Sequence, residues 1–255
     1  MKILLTFAVE PEFAALRKLR DFEVSHAGGL AVHSALIGRA GVHVVVTGMG
    51  PENATRAVEA ALGTSAQYTI CICAGFCGGL KAAVAVGNIL AARTVRDGRT
   101  KAIFESSTSL VAQAVAGGAK ATELISSEDI AATAEAKARL APLADAVDME
   151  SFAVLSAAKK HMVQGVAIRV VSDRFDQDMP LDFSTTVDAA GNVRVGGVLK
   201  QVALHPIRIP ALIRMGRESK TAAQGLANFL VSYIEKISFT AYGERPAAIA
   251  NIAAL

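Results

Sequence analysis

Five carboxylates, Glu10, Glu12, Asp148, Glu150 and Asp173, stand where strand-like runs give way to helix-like ones. An acid at such a junction commonly caps a helix or complements its dipole, and Glu10 and Asp148 are read in that way. Asp173 is different. It closes the apolar run Val166-Ala167-Ile168-Arg169-Val170-Val171-Ser172, where loss of water raises a carboxyl pKa toward the range of a general acid. Arg169 is either its local counter-charge or an outward-facing side chain.

Two glycine clusters, Gly48-Met49-Gly50 and Gly75-Phe76-Cys77-Gly78-Gly79, follow apolar runs. Glycines there let backbone N–H groups approach an anion or a polar ligand edge; taken singly, each cluster reads as a tight turn. Neither is a nucleotide fingerprint. Asn53 stands where the dinucleotide motif needs a third glycine, and no Lys-Ser or Lys-Thr follows Gly79. Cys71, Cys73 and Cys77 have no neighbouring His, and their odd number argues against a disulfide framework; they read as small buried hydrophobes. The five histidines are scattered without metal spacing, so no metal and no cofactor is implied.

Positioning these groups requires alternating strands and helices. Lys2–Ala8 predicts a strand and Pro11–Arg20 a helix with Phe13, Leu16 and Leu19 on one face. Val42–Thr47 predicts a strand, Pro51–Leu62 a helix and Tyr68–Cys73 a buried strand ending at the second glycine cluster. Val84–Val95 predicts a strand with a turn at Gly87-Asn88. An Ala-rich helix then follows Ser106, with a strand near Glu123–Ile125 and a helix from about Ile130. Asp148–Lys160 predicts a helix, Gly165–Val171 a strand, and Lys220–Ile237 a last amphipathic helix. The pattern defines an α/β protein, a three-layer αβα sandwich around a mostly parallel or mixed sheet. Ligands in such sheets bind beyond the carboxyl ends of the strands, at Ala8–Glu12, Thr47–Gly50, Ala74–Gly79 and Ser172-Asp173, with Asp148-Met149-Glu150 as a fifth polar group.

Composition agrees. The 255 residues are 52 % hydrophobic and 19 % charged, with no Trp, enough to bury a sizeable core. A net charge of +3 without basic runs gives no reason for a nucleic-acid partner. The apolar start Met1–Ala8 runs into Glu10-Pro11-Glu12 and reads as a strand rather than a signal peptide. No stretch reaches the roughly 18 apolar residues of a membrane span, so a cytoplasmic protein is expected.

Taken in order, the motifs form a recognisable series. Glu10-Pro11-Glu12 follows a strand; then come Thr47-Gly48-Met49-Gly50-Pro51-Glu52-Asn53-Ala54, Ala74-Gly75-Phe76-Cys77-Gly78-Gly79-Leu80, Val86-Gly87-Asn88-Ile89, Val147-Asp148-Met149-Glu150-Ser151 and Val170-Val171-Ser172-Asp173. Over Met1–Asp173 this series resembles the purine nucleoside phosphorylase superfamily, and within it the methylthioadenosine and S-adenosylhomocysteine nucleosidases. The resemblance implies a phosphorylase/hydrolase-like fold and cleavage of an N-glycosidic bond, with a nucleoside substrate, water or phosphate as co-substrate, and a homo-oligomer. It implies that Asp173 protonates the purine at N7, that Ser172 holds Asp173, and that Glu150 grips the ribose hydroxyls. Met149 would line the sugar, Glu12 would activate water, Ala74, Gly75 and Phe76 through Gly79 would line the cleft, and Ser126 to Ile130 would border the base. Such roles suit an oxocarbenium-like transition state. Where the phosphorylase branch places a phosphate-binding Arg and Ser, this chain has Cys73 and Phe76, which leans toward hydrolysis.

The resemblance implies one domain over 1–237, with 174–215 as a variable insertion and 238–255 as a tail. Pro180-Leu181-Asp182-Phe183, Val187–Gly191 and His205–Leu212 resemble the hopanoid-associated branch, which is linked to removing adenine from adenosylhopane. Val198–Met215 interleaves aliphatics with Lys200, His205, Arg208 and Arg214, as a segment facing a membrane surface would; a pair of covering helices or a subunit interface is the alternative. A second substrate reading is methylthioadenosine recycling. A reading of another class, a ligand-binding α/β domain without catalysis, would be favoured if Glu12, Glu150 and Asp173 failed to share one cleft.

Overall fold

The computed structural model describes residues 1–180 and 209–241. Strand β1 (Lys2–Phe7) is buried after its first residue and lies parallel to β4 (Ala40–Val46) and β5 (Ile70–Gly79). Burial on both faces explains its unbroken apolar run. Ile3, Leu5 and Phe7 join one core, and Leu4 the other. The first core is closed by α1 (Glu10–Arg17), α3 (Thr108–Ala116) and α6 (Ile209–Ala241), and the second by α2 (Pro51–Leu62) and α5 (Ser151–Lys160). A small third cluster carries α4 (Ala134–Leu140) through Leu140. The helix–sheet–helix layering follows the sequence reading.

The sheet is mixed and bends round on itself. The hairpin β2 (Glu23–Ala27) and β3 (Leu30–Ile37) extends it antiparallel beyond β4. On the other side β10 (Gln164–Asp173) runs parallel to β5 along its length. β10 also pairs with β6 (Ile89–Asp97), β6 with β8 (Lys120–Ser126), β8 with β9 (Ala146–Asp148), and β9 returns to β5. Those five strands close a ring, and β7 (Ile103–Glu105) hangs from β6. On one edge of β5, β1 pairs as far as Cys73 and β9 takes over only at Gly78. Between them that edge is open.

Several elements differ from expectation. β5 does not turn at its glycines: pairing with β10 continues from Ile168↔Ala74 to Asp173↔Gly78, so the cluster runs on as strand. Asp148 ends a strand rather than starting a helix, because β9 is held between β5 and β8. The helix expected from Ile130 starts at Ala134, after Thr133, whose hydroxyl accepts the Ala136 N–H at 3.1 Å. Val84–Asn88 is a turn ahead of β6, since Ala85 N–H bonds the Asn88 side chain at 3.1 Å. The last helix, Ile209–Ala241, is longer than the expected Lys220–Ile237, and its buried hydrophobic residues lie between Ala222 and Ile237. The expected segment Val198–Met215 lies outside the described residues up to 208. No helix among the described residues is long and apolar enough to cross a membrane.

α6 anchors the first core through Leu226, Leu230 and Ile234, all fully buried, and the Tyr233 hydroxyl donates to the Leu110 carbonyl at 2.9 Å. Leu226→Ala should therefore cost about 2–5 kcal/mol and Tyr233→Phe about 1 kcal/mol. Thermal unfolding followed by circular dichroism checks the order; equal losses would mean that α6 does not pack as described.

Candidate active site

Among the described residues, Arg169 is the largest fully buried side chain, at 1 % exposed. Strand alternation on β10 turns it away from Ile168 and Val170 and toward α5. There Nε and Nη2 donate to Ser151 Oγ at 3.1 and 2.9 Å, Nη2 to Cys73 Sγ at 3.1 Å, and Nη1 to the Phe76 carbonyl at 3.4 Å. Its guanidinium pairs closely with Asp148, and Glu150 Oε2 stands 3.8 Å away. Burial works against the Arg169 charge; Asp148, Cys73, Glu150 and Glu12 outweigh it and raise its pKa. Arg169 is thus neither outward-facing nor the partner of Asp173. Asp148 is in turn fixed by the Ser126 hydroxyl at 2.6 Å and the Ser151 N–H at 3.1 Å, a helix-capping bond combined with an ion pair.

The open edge of β5 is filled by Glu12. Its Oε1 accepts the Phe76 N–H at 2.7 Å, and Oε2 accepts Ala8 and Val9 N–H at 2.8 and 3.1 Å. Gly75 makes room: at φ +148°, a Cβ there would stand 2.5 Å from Glu12 Oε1 and 2.7 Å from Arg169 Nη1. Burial pushes the Glu12 carboxyl up, opposed by the Arg169 charge and the three amides. Glu150 Oε1 accepts the Gly50 N–H at 2.9 Å. Burial pushes its carboxyl up to about 7, with Asp148 and Glu12 adding to the rise and Arg169 opposing it.

Asp173 closes the far wall. Ser172 Oγ donates to its Oδ1 at 2.7 Å, and Lys137, itself fully buried, pairs with Oδ2. Gly78 leaves space for that carboxyl, since a Cβ would come within 3.1 Å of Oδ2.

Glu12, Glu150 and Asp173 line one cavity of about 340 Å³, together with Met149, Phe76, Ser172 and Ile130. Its remaining walls are largely apolar, with Val9, Pro11, Ala131, Met179 and Met215. Of the expected lining residues, Ala74, Gly75, Gly79 and Ser126 do not reach it. Ala74 is buried beneath the cleft because strand alternation turns it into the first core, and Gly75 lies between Glu12 and Arg169. Ser126 stands behind Asp148 and faces a neighbouring cavity of about 630 Å³ that shares Met49 and Met149 with the first. The three cysteines are buried and unpaired; burial raises all three thiols, Cys73 to about 11. Sequence reasoning missed the structural part of Arg169 and Asp148, and missed Lys137. A charge inside a strand buried on both faces is a signal for Arg169.

Carboxylates converge on a cleft at the carboxyl ends of a mixed sheet's strands, and the family to which the chain belongs makes it an enzyme of the nucleosidase and nucleoside phosphorylase class. The chain belongs to the Phosphorylase superfamily, whose family model matches residues 2–202. No curated protein matches the sequence. Among solved structures, the chain is similar to the 5'-methylthioadenosine/S-adenosyl homocysteine nucleosidase of Campylobacter jejuni, at 15 % identity and TM-score 0.72 over 92 % of this chain and 99 % of that one. The nucleosidase of S. pneumoniae aligns at 19 % identity and TM-score 0.70, covering 93 % and 100 %. The futalosine hydrolase of Helicobacter pylori aligns at 20 % identity and TM-score 0.69, covering 92 % and 98 %. At these identities the likeness is one of fold.

Removing Arg169 leaves Asp148 buried without its cation, so Arg169→Met should cost about 3–5 kcal/mol, read as a lowered unfolding midpoint in urea. Glu150 also makes stability depend on pH. Its folded pKa of about 7 lies above the ordinary 4.5, so its contribution is present below 4.5 and is lost as pH rises through 7. Thermal scans from pH 4 to 8 should show a shallower decline for Glu150→Gln than for wild type; parallel curves would place the Glu150 carboxyl at an ordinary pKa.

Proposed function

We propose that the protein is a nucleoside hydrolase that releases a purine base, adenine for preference, from a nucleoside with an apolar 5′ substituent. The convergence of Glu12, Glu150 and Asp173 on one cleft carries this reading and weighs against a merely ligand-binding domain. The glycosidic C–N bond breaks with its electron pair passing to the base, and Asp173, steadied by Ser172, gives a proton to purine N7. Positive charge gathers on the ribose ring, whose hydroxyls Glu150 accepts while Met149 packs against the sugar. Water adds to the anomeric carbon and Glu12 takes its proton. An acid on the leaving group and carboxylates near the sugar both lower the barrier of such a reaction.

Water is favoured over phosphate as nucleophile. Cys73 and Phe76 replace phosphate-binding side chains, and among the described residues lining the cleft none is Lys or Arg, whereas Glu12, Asp129, Asp148, Glu150 and Asp173 are acidic. An anion entering there meets repulsion.

The apolar walls Val9, Pro11, Ile130, Met179 and Met215 support a large aliphatic 5′ group, of which a hopanoid such as that of adenosylhopane is the expected example. Met215 belongs to the first turns of α6, where Ile209 and Ile213 are exposed beside Arg214 and Arg217. That pattern favours a peripheral contact of this end of α6 with a lipid surface.

The test is adenine release from methylthioadenosine and from a long-chain 5′-alkyl adenosine, each with and without phosphate. Release without phosphate, faster from the alkyl nucleoside, is expected; a strict phosphate requirement would overturn the hydrolase reading. Asp173→Asn should lower kcat/KM by about 10²–10⁴ with unchanged circular dichroism, and Glu12→Gln should lower kcat with little change in KM. Because Glu150 must be ionised to accept hydroxyls, kcat/KM should fall as pH drops below about 7, an acid limb that Glu150→Gln removes.

A further inference from the structure

Helix α4 carries two cations with opposite fates. Arg139 is solvated and pairs with Glu135 one turn back, whereas Lys137 on the same short helix is 0 % exposed. Burying an ammonium is costly unless its donors are all used. Lys137 Nζ uses them: it donates to the carbonyls of Arg174 and Gln177 at 2.6 and 3.1 Å, and it pairs with Asp173 Oδ2.

Those bonds belong to a larger clamp. Asp178 accepts the Ala134 N–H at 2.8 Å, at the start of α4, and Met179 N–H donates to the Ala132 carbonyl at 2.7 Å. Residues 174–179 are thereby fastened to α4 and to the segment before it, and Met179, Ile130 and Ala131 from the two segments line the cleft. Lys137 is the member of this clamp that touches the acid itself. With Ser172 on Oδ1 and Lys137 on Oδ2, the Asp173 carboxyl is held from both sides.

We propose that Lys137 is a positioning residue of the reaction: it acts through Asp173, fixing the carboxyl in the orientation from which its proton reaches the leaving base. This rests on the reading of Asp173 as the general acid. A poor leaving group such as adenine needs that proton in the transition state, whereas p-nitrophenolate departs without it. Lys137 should therefore matter for the one substrate and hardly for the other, a split that a merely structural residue would not produce.

The experiment compares Lys137→Met, Lys137→Arg, Asp173→Asn and wild type, all full-length, on a 5′-alkyl adenosine and on p-nitrophenyl β-D-ribofuranoside. Lys137→Met should lose about 10²-fold in kcat on the adenosine, with KM within about threefold, and less than about threefold on the nitrophenyl riboside. Asp173→Asn should show the same split, and Lys137→Arg should restore part of the adenosine rate by keeping the charge at Oδ2. Should Lys137→Met fail to fold, Lys137→Arg carries the test, with a smaller loss confined to the adenosine. Equal losses on both substrates, in whichever variant folds, would overturn the positioning role while Asp173→Asn still showed the split. A wild-type enzyme that releases no base from any nucleoside would overturn the functional reading, and this inference with it.

Discussion

A guanidinium sealed between a sheet and a helix imposes strict demands on its surroundings, and Arg169 imposes them here. Its charge is tolerable only because Asp148 pairs with it, Glu150 lies nearby, and Ser151, Cys73 and the Phe76 carbonyl take its hydrogens. Each partner fixes an element. Ser151 is the first residue of α5, Asp148 the last of β9, and Cys73 and Phe76 belong to β5. The cleft is thus assembled around one buried cation, and a glycine at 75 is needed because any side chain would collide with Arg169 and Glu12.

Charge balance around Arg169 bears on the chemistry. One cation faces Asp148, Glu150 and Glu12, and burial raises the pKa of both glutamates. Three carboxylates around one guanidinium would leave excess negative charge in a poorly hydrated space. The raised glutamate pKa values express that strain: a site of this kind keeps protons within reach near neutral pH. The open edge of β5 adds a geometric constraint. Where β1 has ended and β9 has not begun, the Phe76 amide would lack a partner, and the Glu12 carboxylate supplies it. The same interaction completes the sheet and places a carboxylate in the cleft.

The layered fold was legible because its signals are local. Pro51 opening a helix that ends at Leu62, and apolar runs such as Lys2–Phe7, report secondary structure without knowledge of partners. Asp173 was marked by its place at the end of an apolar run, whereas Glu12 and Glu150 were singled out by the order of the motifs. The β2–β3 hairpin had a local signal too, Gly28-Gly29 at positive φ between the strands, but its polar strand lacks an apolar run. What could not be read depends on distant pairing. β9 has three residues and exists because β5 and β8 flank it. The glycines of β5 look like a turn until β10 is aligned with them. Lys137 sits on an alanine-rich surface helix and is buried only because residues 174–177 fold over it.

The same accounting bears on the choice of nucleophile. Phosphate as a co-substrate requires a cation or a set of free amides directed into the cleft. Arg169 is occupied by Asp148 and Lys137 by Asp173. The Gly50 and Phe76 amides, which glycine-rich segments could have offered to an anion, are bonded to Glu150 and Glu12. Every group among these that could attract phosphate is thus already committed to a carboxylate of the site itself. Water makes no such demand: it needs an acceptor for its proton, and Glu12 lines the cleft with a carboxylate whose basicity burial increases. On the proposed reading, the interactions that hold these carboxylates in place are therefore ones that favour water over phosphate as the nucleophile.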